Sequence, residues 1–165
     1  MIKLVVIYDS KTNNTAEMAA CIAEGMNRVK GVYAQAFFYE DLDEAFVREC
    51  AGAVFGCPTY MAGPTADFYT FLEKKLRGLD LGGKLAGVFA TERYIHGRAE
   101  FTMQVIAGHL LMAGMMLYST GNMWGEPFIH LGPVQVSTMD RAEFRELFNV
   151  YGERFAAQAV KIEKV

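Results

Sequence analysis

Short apolar runs alternate along the chain with longer stretches in which apolar residues recur at helical spacing. The runs are rich in β-branched and aromatic residues and predict strands at residues 2–8, 32–39, 53–57, 84–90 and 115–119. Helical spacing predicts helices at residues 14–28, 42–50, 64–77, 98–113 and 140–161. A brief further strand is expected at residues 134–137. Because parallel strands need crossover connections, this alternation predicts a parallel sheet with helices on both faces.

Right-handed crossovers make such a sheet doubly wound, and a doubly wound sheet binds ligands beyond the carboxyl ends of its strands. Three loops rich in polar and aromatic residues follow those ends, at residues 10–15, 58–63 and 91–97. A length of 165 residues fits one domain, which we expect to span residues 1–165. The sequence therefore predicts a single α/β domain with a candidate site where these loops meet.

The first of these loops, with the preceding Asp9, has the sequence Asp-Ser-Lys-Thr-Asn-Asn-Thr and leads into the first helix. Free backbone N–H groups and the positive end of the helix dipole attract a phosphate at such a junction. Lys11 contributes at most a positive field, and side-chain donors are added by Ser10, Thr12, Asn14 and Thr15. Since the same residue types favour an ordinary N-cap, the residues alone leave both interpretations open.

The pattern Ser10-x-Thr12-x-Asn14-Thr15 resembles the phosphate-binding loop of flavodoxins, which wraps the terminal phosphate of FMN. Asn13 stands where that family usually has Gly, and Asn is the non-glycine residue that best tolerates a left-handed backbone. The resemblance implies FMN as the cofactor and a flavodoxin-like, five-stranded parallel sheet in the order 2-1-3-4-5. It also implies cofactor contacts from this loop, namely Ser10, Lys11, Thr12, Asn13, Asn14 and Thr15.

The second loop lies in residues 56–72, which begin with Gly-Cys-Pro-Thr-Tyr-Met-Ala-Gly-Pro. On the residues alone, this is a tight β-to-α turn in which Pro and Gly set the backbone angles. The stretch also looks like a segment of the WrbA-type NAD(P)H:quinone oxidoreductases, in which a Pro-Thr turn contacts the flavin ring. That resemblance implies ring contacts from Pro58, Thr59, Tyr60 and Met61. Ala62-Gly63 stands where that family usually has Gly-Asn.

The third loop lies in residues 89–102 and resembles a second WrbA-type stretch through its His96-Gly97 pair. The resemblance places His96 over a cavity where nicotinamide and quinone alternate. There it could donate a hydrogen bond to a developing quinone oxygen, although a lone loop histidine is more often simply solvated. Arg93 or Arg98 could instead meet a dinucleotide phosphate. The cofactor contacts that the resemblance implies are Thr91, Glu92, Arg93, Tyr94 and Gly97.

Together these resemblances predict an FMN-dependent reductase with His96 as its catalytic residue. It would take a hydride from NAD(P)H at flavin N5 and pass the electrons to a quinone or a similar small-molecule acceptor. The alternative is a non-enzymatic flavodoxin that transfers electrons to a redox protein. Such carriers are typically much more acidic, so the net charge of −3 favours the reductase. A flavin or iron reductase is a third interpretation.

Composition and charge exclude several other functions. A net charge of −3 leaves no broad basic surface for nucleic acid. The apolar stretch at residues 105–118 is too short to span a membrane. The three histidines lack metal-ligand spacing, so no metal is expected. Three cysteines without CxxC spacing and a chain start without a signal-peptide pattern predict a cytoplasmic protein.

Residues 121–133 break the alternation with Gly, Pro, Asn and aromatic residues, including Trp124 and Phe128. This segment resembles the insertion that splits the fifth strand in WrbA-type and long-chain flavodoxin folds. Its aromatic side chains could anchor the loop to its own domain or close over a neighbouring subunit's flavin. The resemblance suggests a homodimer or a homotetramer, and the sequence leaves both roles of the loop open.

Overall fold

The computed structural model describes residues 1–164, and strands and helices alternate through most of them. The strands are β1 (Ile2–Tyr8), β2 (Val32–Phe38), β3 (Gly52–Tyr60), β4 (Gly63–Pro64), β5 (Leu85–Glu92), β6 (Met116–Leu117) and β7 (Val134–Val136). The helices are α1 (Asn14–Asn27), α2 (Glu44–Glu49), α3 (Ala66–Lys75), α4 (Ala99–Met112) and α5 (Arg141–Glu163), with a 3-10 helix (Leu76–Leu79) after α3. Within residues 1–164, no helix has the length and apolar character needed to cross a membrane.

The parallel body of the sheet has the order β2-β1-β3-β5-β6. β1 lies between β2 and β3, and β5 continues the sheet from β3 towards β6. β4 stands outside this order, because it is a two-residue strand that pairs antiparallel with the end of β3. When β4 is set aside, the order is the predicted 2-1-3-4-5. The expectation of a flavodoxin-like, doubly wound α/β fold is confirmed.

Both faces of the sheet are buried, which explains why residues 4–7 of β1 form a continuous apolar run without alternation. Leu4 and Val6 face the core that α1 and α5 cover, whereas Val5 and Ile7 face the core under α2, α3 and α4. All four side chains are fully buried. The central strand is thereby fixed on two sides, and so is the loop that follows it.

The fifth position of the sheet is shared by two short strands. β6 pairs with the beginning of β5, and β7 pairs with its end. The segment between them is tied to α5, because the Arg154 guanidinium donates to the carbonyl oxygens of Pro127 (2.8 Å) and Glu126 (3.1 Å). The Lys161 ammonium also lies 4.6 Å from the centroid of the Trp124 ring. This insertion is anchored to its own domain.

Two glycines let α1 and α5 pack backbone against backbone. A Cβ atom on Gly25 would lie 2.0 Å from the carbonyl oxygen of Asn149, and one on Gly152 would lie 2.1 Å from that of Ile22. Any larger residue would force the helices apart. The spacing of α1 from α5 therefore depends on glycine at both positions.

β3 extends further than the sequence predicted, since it continues through Pro58 to Tyr60. Its last partner on β1 is Gly56, while Pro58 is still paired with Thr91 of β5. β3 is an edge strand on the β1 side beyond Gly56, and proline is tolerated at such a position. The extra residues carry β3 to the edge where the loops gather.

Candidate functional site

A cavity of about 640 Å³ lies at the carboxyl edge of the sheet. The loops after β1, β3 and β5 border it, together with the residue after β7. Its lining consists of Thr12, Asn14, Pro58, Thr59, Tyr60, Met61, Ala62, Thr91, Glu92, Arg93, Tyr94, Gly97 and Ser137. This volume is typical of a small-molecule site, and the position is where doubly wound sheets bind ligands.

The loop after β1 presents unused hydrogen-bond donors at the start of α1. Asn13 adopts a left-handed backbone (φ 67°) just before the helix, and Ser10 Oγ accepts from the Ala16 N–H at 3.2 Å. Among residues 1–164, no acceptor takes a hydrogen bond from the backbone N–H groups of residues 11–15. A run of free N–H groups at a helix start is the donor set that a phosphate requires.

Side chains of the same loop add one donor and one acceptor. Asn14 Nδ2 donates to Thr12 Oγ1 at 3.0 Å, so the Thr12 hydroxyl proton is available to another acceptor. Asn14 Oδ1 is buried and has no hydrogen-bond partner. A buried amide oxygen without a donor is costly, and a hydroxyl group of a ligand would satisfy it. The loop thus fits a phosphate joined to a polyhydroxyl chain.

Lys11 does not supply positive charge to this cavity. Its ammonium lies 3.0 Å from Asp67 Oδ2 and 3.7 Å from Asp9 Oδ1. The hydrogen bond to Asp67 is the main cause that raises the pKa of Lys11, with a further contribution from the charge of Asp9. Because its charge is offset by two carboxylates, a phosphate here would be held chiefly by neutral donors.

The loop after β3 forms an apolar side of the cavity. Met61 and Ala62 both have positive φ (48° and 65°), which reverses the chain into β4. Met61 is fully exposed and Tyr60 is half-exposed, although both border the cavity. Thr59 Oγ1 lies 3.0 Å from Thr102 Oγ1 of α4, which ties this loop to the third loop's helix. Exposed apolar groups beside a polar cavity suit one face of a planar ring.

The loop after β5 is held in place by its own buried polar groups. Glu92 Oε2 accepts from the Ala99 N–H at 3.0 Å and so caps α4 from a distance. Thr91 Oγ1 lies 2.9 Å from Thr15 Oγ1, which joins this loop to the phosphate-type loop. Tyr94 is exposed and lines the cavity. The first and third loops are therefore a connected unit.

The structure brings most of the predicted site residues to one cavity, but it separates some from it. The predicted residues in its lining are Thr12, Asn14, Pro58, Thr59, Tyr60, Met61, Thr91, Glu92, Arg93, Tyr94 and Gly97. Five others do not line it, namely Ser10, Lys11, Asn13, Thr15 and His96. Ser10, Asn13 and Thr15 instead shape or brace the first loop. The exposed His96 lies on the turn before α4, next to the lining residue Gly97.

Two lining residues, Ala62 and Ser137, were missed by sequence reasoning. Ser137 follows β7, and its N–H donates to the Glu92 carbonyl oxygen at 2.8 Å. The brief predicted strand at residues 134–137 was the available indication, because its carboxyl end reaches the same edge as the others. A second groove of about 680 Å³ lies between α2 and α3. It follows the end of a single strand, β2, whereas the first cavity is bordered by the residues after β1, β3, β5 and β7, so we assign the ligand site to the first cavity.

The donor set and shape of the carboxyl-edge cavity fit FMN. The free N–H groups match its phosphate, the unpartnered Asn14 Oδ1 matches a ribityl hydroxyl, and Tyr60 and Tyr94 offer surfaces for its ring. No cluster of three or more His, Cys, Asp or Glu side chains within residues 1–164 suits a metal ion. An α/β sheet with this loop at its switch point defines a doubly wound protein with a nucleotide-type phosphate loop.

Comparison with known proteins identifies the family. A family model described as Flavodoxin matches residues 6–92. A flavodoxin of Clostridium saccharobutylicum is 31% identical over 160 residues, which cover 97% of this chain and 99% of that protein. The chain belongs to the flavodoxin family. A flavodoxin of Aquifex aeolicus is 27% identical over 157 residues, which cover 93% of this chain and 85% of that protein.

The prediction of an NAD(P)H:quinone oxidoreductase is wrong. Both curated relatives are named flavodoxin, and the matching family model has the same description. The structure of a WrbA-like flavodoxin from Agrobacterium tumefaciens has a TM-score of 0.76 over 98% of this chain and 99% of that chain, at 24% identity, which shows a shared fold. The loops that carried the WrbA resemblance are turns that this fold uses to border its cavity. They do not by themselves distinguish a reductase from a carrier, and NAD(P)H loses its support as a co-substrate.

Proposed function

We propose that this protein binds FMN at the carboxyl edge of its sheet and carries electrons between redox proteins. The observation that carries the proposal is the run of unpaired N–H groups at residues 11–15, which opens on a cavity bordered by tyrosine rings. Membership of the flavodoxin family supports it. When bound, FMN would supply the electron-accepting and electron-donating chemistry.

In this proposal each loop has a distinct task. The backbone of residues 11–15 and the Thr12 hydroxyl hold the phosphate, while Asn14 Oδ1 accepts from a ribityl hydroxyl. Tyr60 and Met61 contact one face of the ring system, and Tyr94 contacts the other. Residues that do not reach the cavity, such as Ser10 and Thr15, keep the loop in the conformation that directs its N–H groups outwards.

The half-exposed rim favours transfer to another protein. Met61, Tyr60 and Tyr94 border the cavity and are also open to solvent, so an edge of a ring held between them would be accessible to a partner's redox group. Electron transfer between two proteins needs such an accessible edge, and it needs no residue to move a proton on a substrate. The proposed partner is therefore a redox protein.

Titration of the apoprotein with FMN and with riboflavin, followed by quenching of flavin fluorescence, tests the phosphate assignment. Riboflavin has the same ring and ribityl chain but no phosphate. Thr12→Ala should weaken FMN binding by about 10-fold to 100-fold, the loss of one charge-assisted hydrogen bond, while riboflavin affinity changes little. Asn14→Ala should weaken both ligands, because the ribityl chain is common to them.

Thr70→Ala is the matched control, since Thr70 is an exposed threonine of α3 whose hydroxyl donates to Ala66 O. It should leave both affinities unchanged. Equal losses of FMN and riboflavin in Thr12→Ala would refute the phosphate assignment. Failure of the wild-type protein to quench FMN fluorescence would refute the proposed function as a whole.

A further inference from the structure

Two arginines beside the proposed FMN site have no acidic partner within residues 1–164. The Arg93 guanidinium lies 5.6 Å from the centroid of the Tyr94 ring, and that of Arg98 lies 4.4 Å from the centroid of the Phe101 ring. Among the residues described, neither guanidinium forms an ion pair or a hydrogen bond with a side chain or backbone group. Two carboxylates lie close to them in the sequence, the buried Glu92, whose Oε2 accepts from the Ala99 N–H at 3.0 Å, and the exposed Glu100. Within residues 1–164 neither carboxylate forms an ion pair with Arg93 or Arg98.

These arginines belong to a continuous surface of exposed apolar groups. Met61 is fully exposed and Ile95 is 67% exposed. The loops that carry them are adjacent, because the Phe101 ring comes within 3.9 Å of the Cβ position of Gly63. We call this surface the arginine face, and it consists of Tyr60, Met61, Arg93, Tyr94, Ile95, Arg98 and Phe101. Aromatic residues, Met and Arg are the types that are enriched in protein interfaces and their hot spots.

The position of Arg98 is unfavourable for the protein in two respects. Its backbone is left-handed (φ 74°) at the N-cap of α4, where glycine would fit without strain and arginine does not. Its positive charge also stands at the positive end of the helix dipole, and it has no side-chain oxygen to cap the helix. Strain of this kind is concentrated at functional positions. The guanidinium of Arg98 is therefore a candidate for binding a partner rather than for stabilising the fold.

The charge across the cavity has the opposite sign. Glu40, Asp41 and Asp43 lie on the loop after β2, at the far end of the same sheet edge, and Lys11 is offset by its two carboxylates. The guanidinium groups near the site that no carboxylate within residues 1–164 pairs with therefore lie on the side next to β5. We infer that the arginine face docks an acidic redox protein, with Arg93 and Arg98 meeting its carboxylates and Met61 and Ile95 supplying apolar contact. This inference rests on the proposed function and specifies the partner of that site.

The test uses two haem proteins of opposite charge as probes, namely the acidic soluble domain of cytochrome b5 and the basic cytochrome c. Binding of the oxidised, FMN-loaded protein to each immobilised ferric cytochrome is measured by surface plasmon resonance at low ionic strength, so no electron flows. Arg93→Gln/Arg98→Gln should raise the dissociation constant for the acidic probe by about tenfold, and added salt should reduce this difference. Binding of the basic probe should stay the same or tighten.

Stopped-flow kinetics provide the second measurement. Dithionite first reduces the FMN-loaded protein, and excess reductant is removed. One electron then leaves the flavin for each ferric haem that becomes ferrous. Arg98→Gln, at a residue that does not line the FMN cavity, should lower the second-order rate constant with the acidic cytochrome by about threefold at low salt and leave it within about twofold at high salt.

Two further variants separate docking from folding. Arg77→Gln removes one positive charge, as each of the two substitutions in the double variant does, but on the 3-10 helix before the amino end of β5, so it should leave both measurements unchanged. Arg98→Gly removes the guanidinium and relieves the left-handed strain, so it should weaken acidic-probe binding without lowering the midpoint of thermal unfolding.

Three results would overturn the inference. The first is unchanged acidic-probe binding in the double variant, and the second is an equal effect of Arg77→Gln. The third is a change in self-association seen by sedimentation with no change in probe binding, which would make the arginine face a contact between copies of this chain. In each case FMN binding by the wild-type protein shows that the proposed function itself still stands.

Discussion

A methyl group at position 152 would break one of the two close backbone contacts between α1 and α5. In Gly152→Ala the new Cβ would lie 2.1 Å from the Ile22 carbonyl oxygen, although real Cβ contacts essentially never fall below 3.0 Å. α1 and α5 must therefore separate by about 1 Å, and overpacking of this kind costs about 1–3 kcal/mol. Alanine regains about 1 kcal/mol of helix propensity, so we expect a net loss of about 2 kcal/mol, near the upper end because a backbone carbonyl cannot rotate away.

For a domain of this size, such a loss corresponds to a fall of about 4–8 °C in the thermal midpoint. Circular dichroism of the apoprotein measures it. Gly108→Ala is the matched control, because Gly108 is an interior residue of α4 and nothing lies within 4 Å of its added Cβ. That variant should gain up to about 1 kcal/mol and melt a few degrees higher. If both variants shift the midpoint in the same direction, the argument from backbone contact is wrong.

Two more predictions concern buried groups. Tyr151→Phe removes the hydroxyl that accepts from the Val88 N–H at 3.1 Å, and the unpaired N–H should cost about 1–3 kcal/mol in urea unfolding; an unchanged midpoint would contradict this. Burial raises the pKa of Cys57 from 9.0 to about 12. Above pH 9 the unfolded chain therefore loses this proton first, so stability should decline between pH 9 and about 12, and Cys57→Ala should flatten that decline. Equal slopes for the two proteins would show that other groups cause it.

The sequence predicts the order of elements well because strand burial and helix amphipathicity are local properties of the pattern. β1 is buried on both faces from Leu4 to Ile7 and is correspondingly apolar over those residues. The end of β3 was harder to predict from the sequence, since proline normally ends the hydrogen-bonded pairing of a strand. Only the tertiary fact that β1 ends beside Gly56 explains why Pro58 remains in the strand.

The site was predictable as a meeting of loops, but the purpose of each side chain was not. Glu92 was expected to contact a cofactor, and the structure shows that its carboxylate also holds the first N–H of α4. Lys11 lies close to β1 in the sequence, seven residues after its first buried residue, Leu4. Its partner Asp67, however, is 56 residues further along the chain. Pairings of that range depend on the fold. The reductase prediction failed because turns that border a shared cavity were taken as evidence of a reaction.

Because Lys11 is paired with two carboxylates, FMN binding and partner docking should depend differently on salt concentration. Hydrogen bonds from backbone N–H groups act at short range. The attraction between guanidinium groups and distant carboxylates, in contrast, weakens as ionic strength rises. The affinity for FMN and the affinity for a partner protein should therefore respond differently to ionic strength. At high salt the protein would keep its FMN, while its complexes with a partner protein would become short-lived.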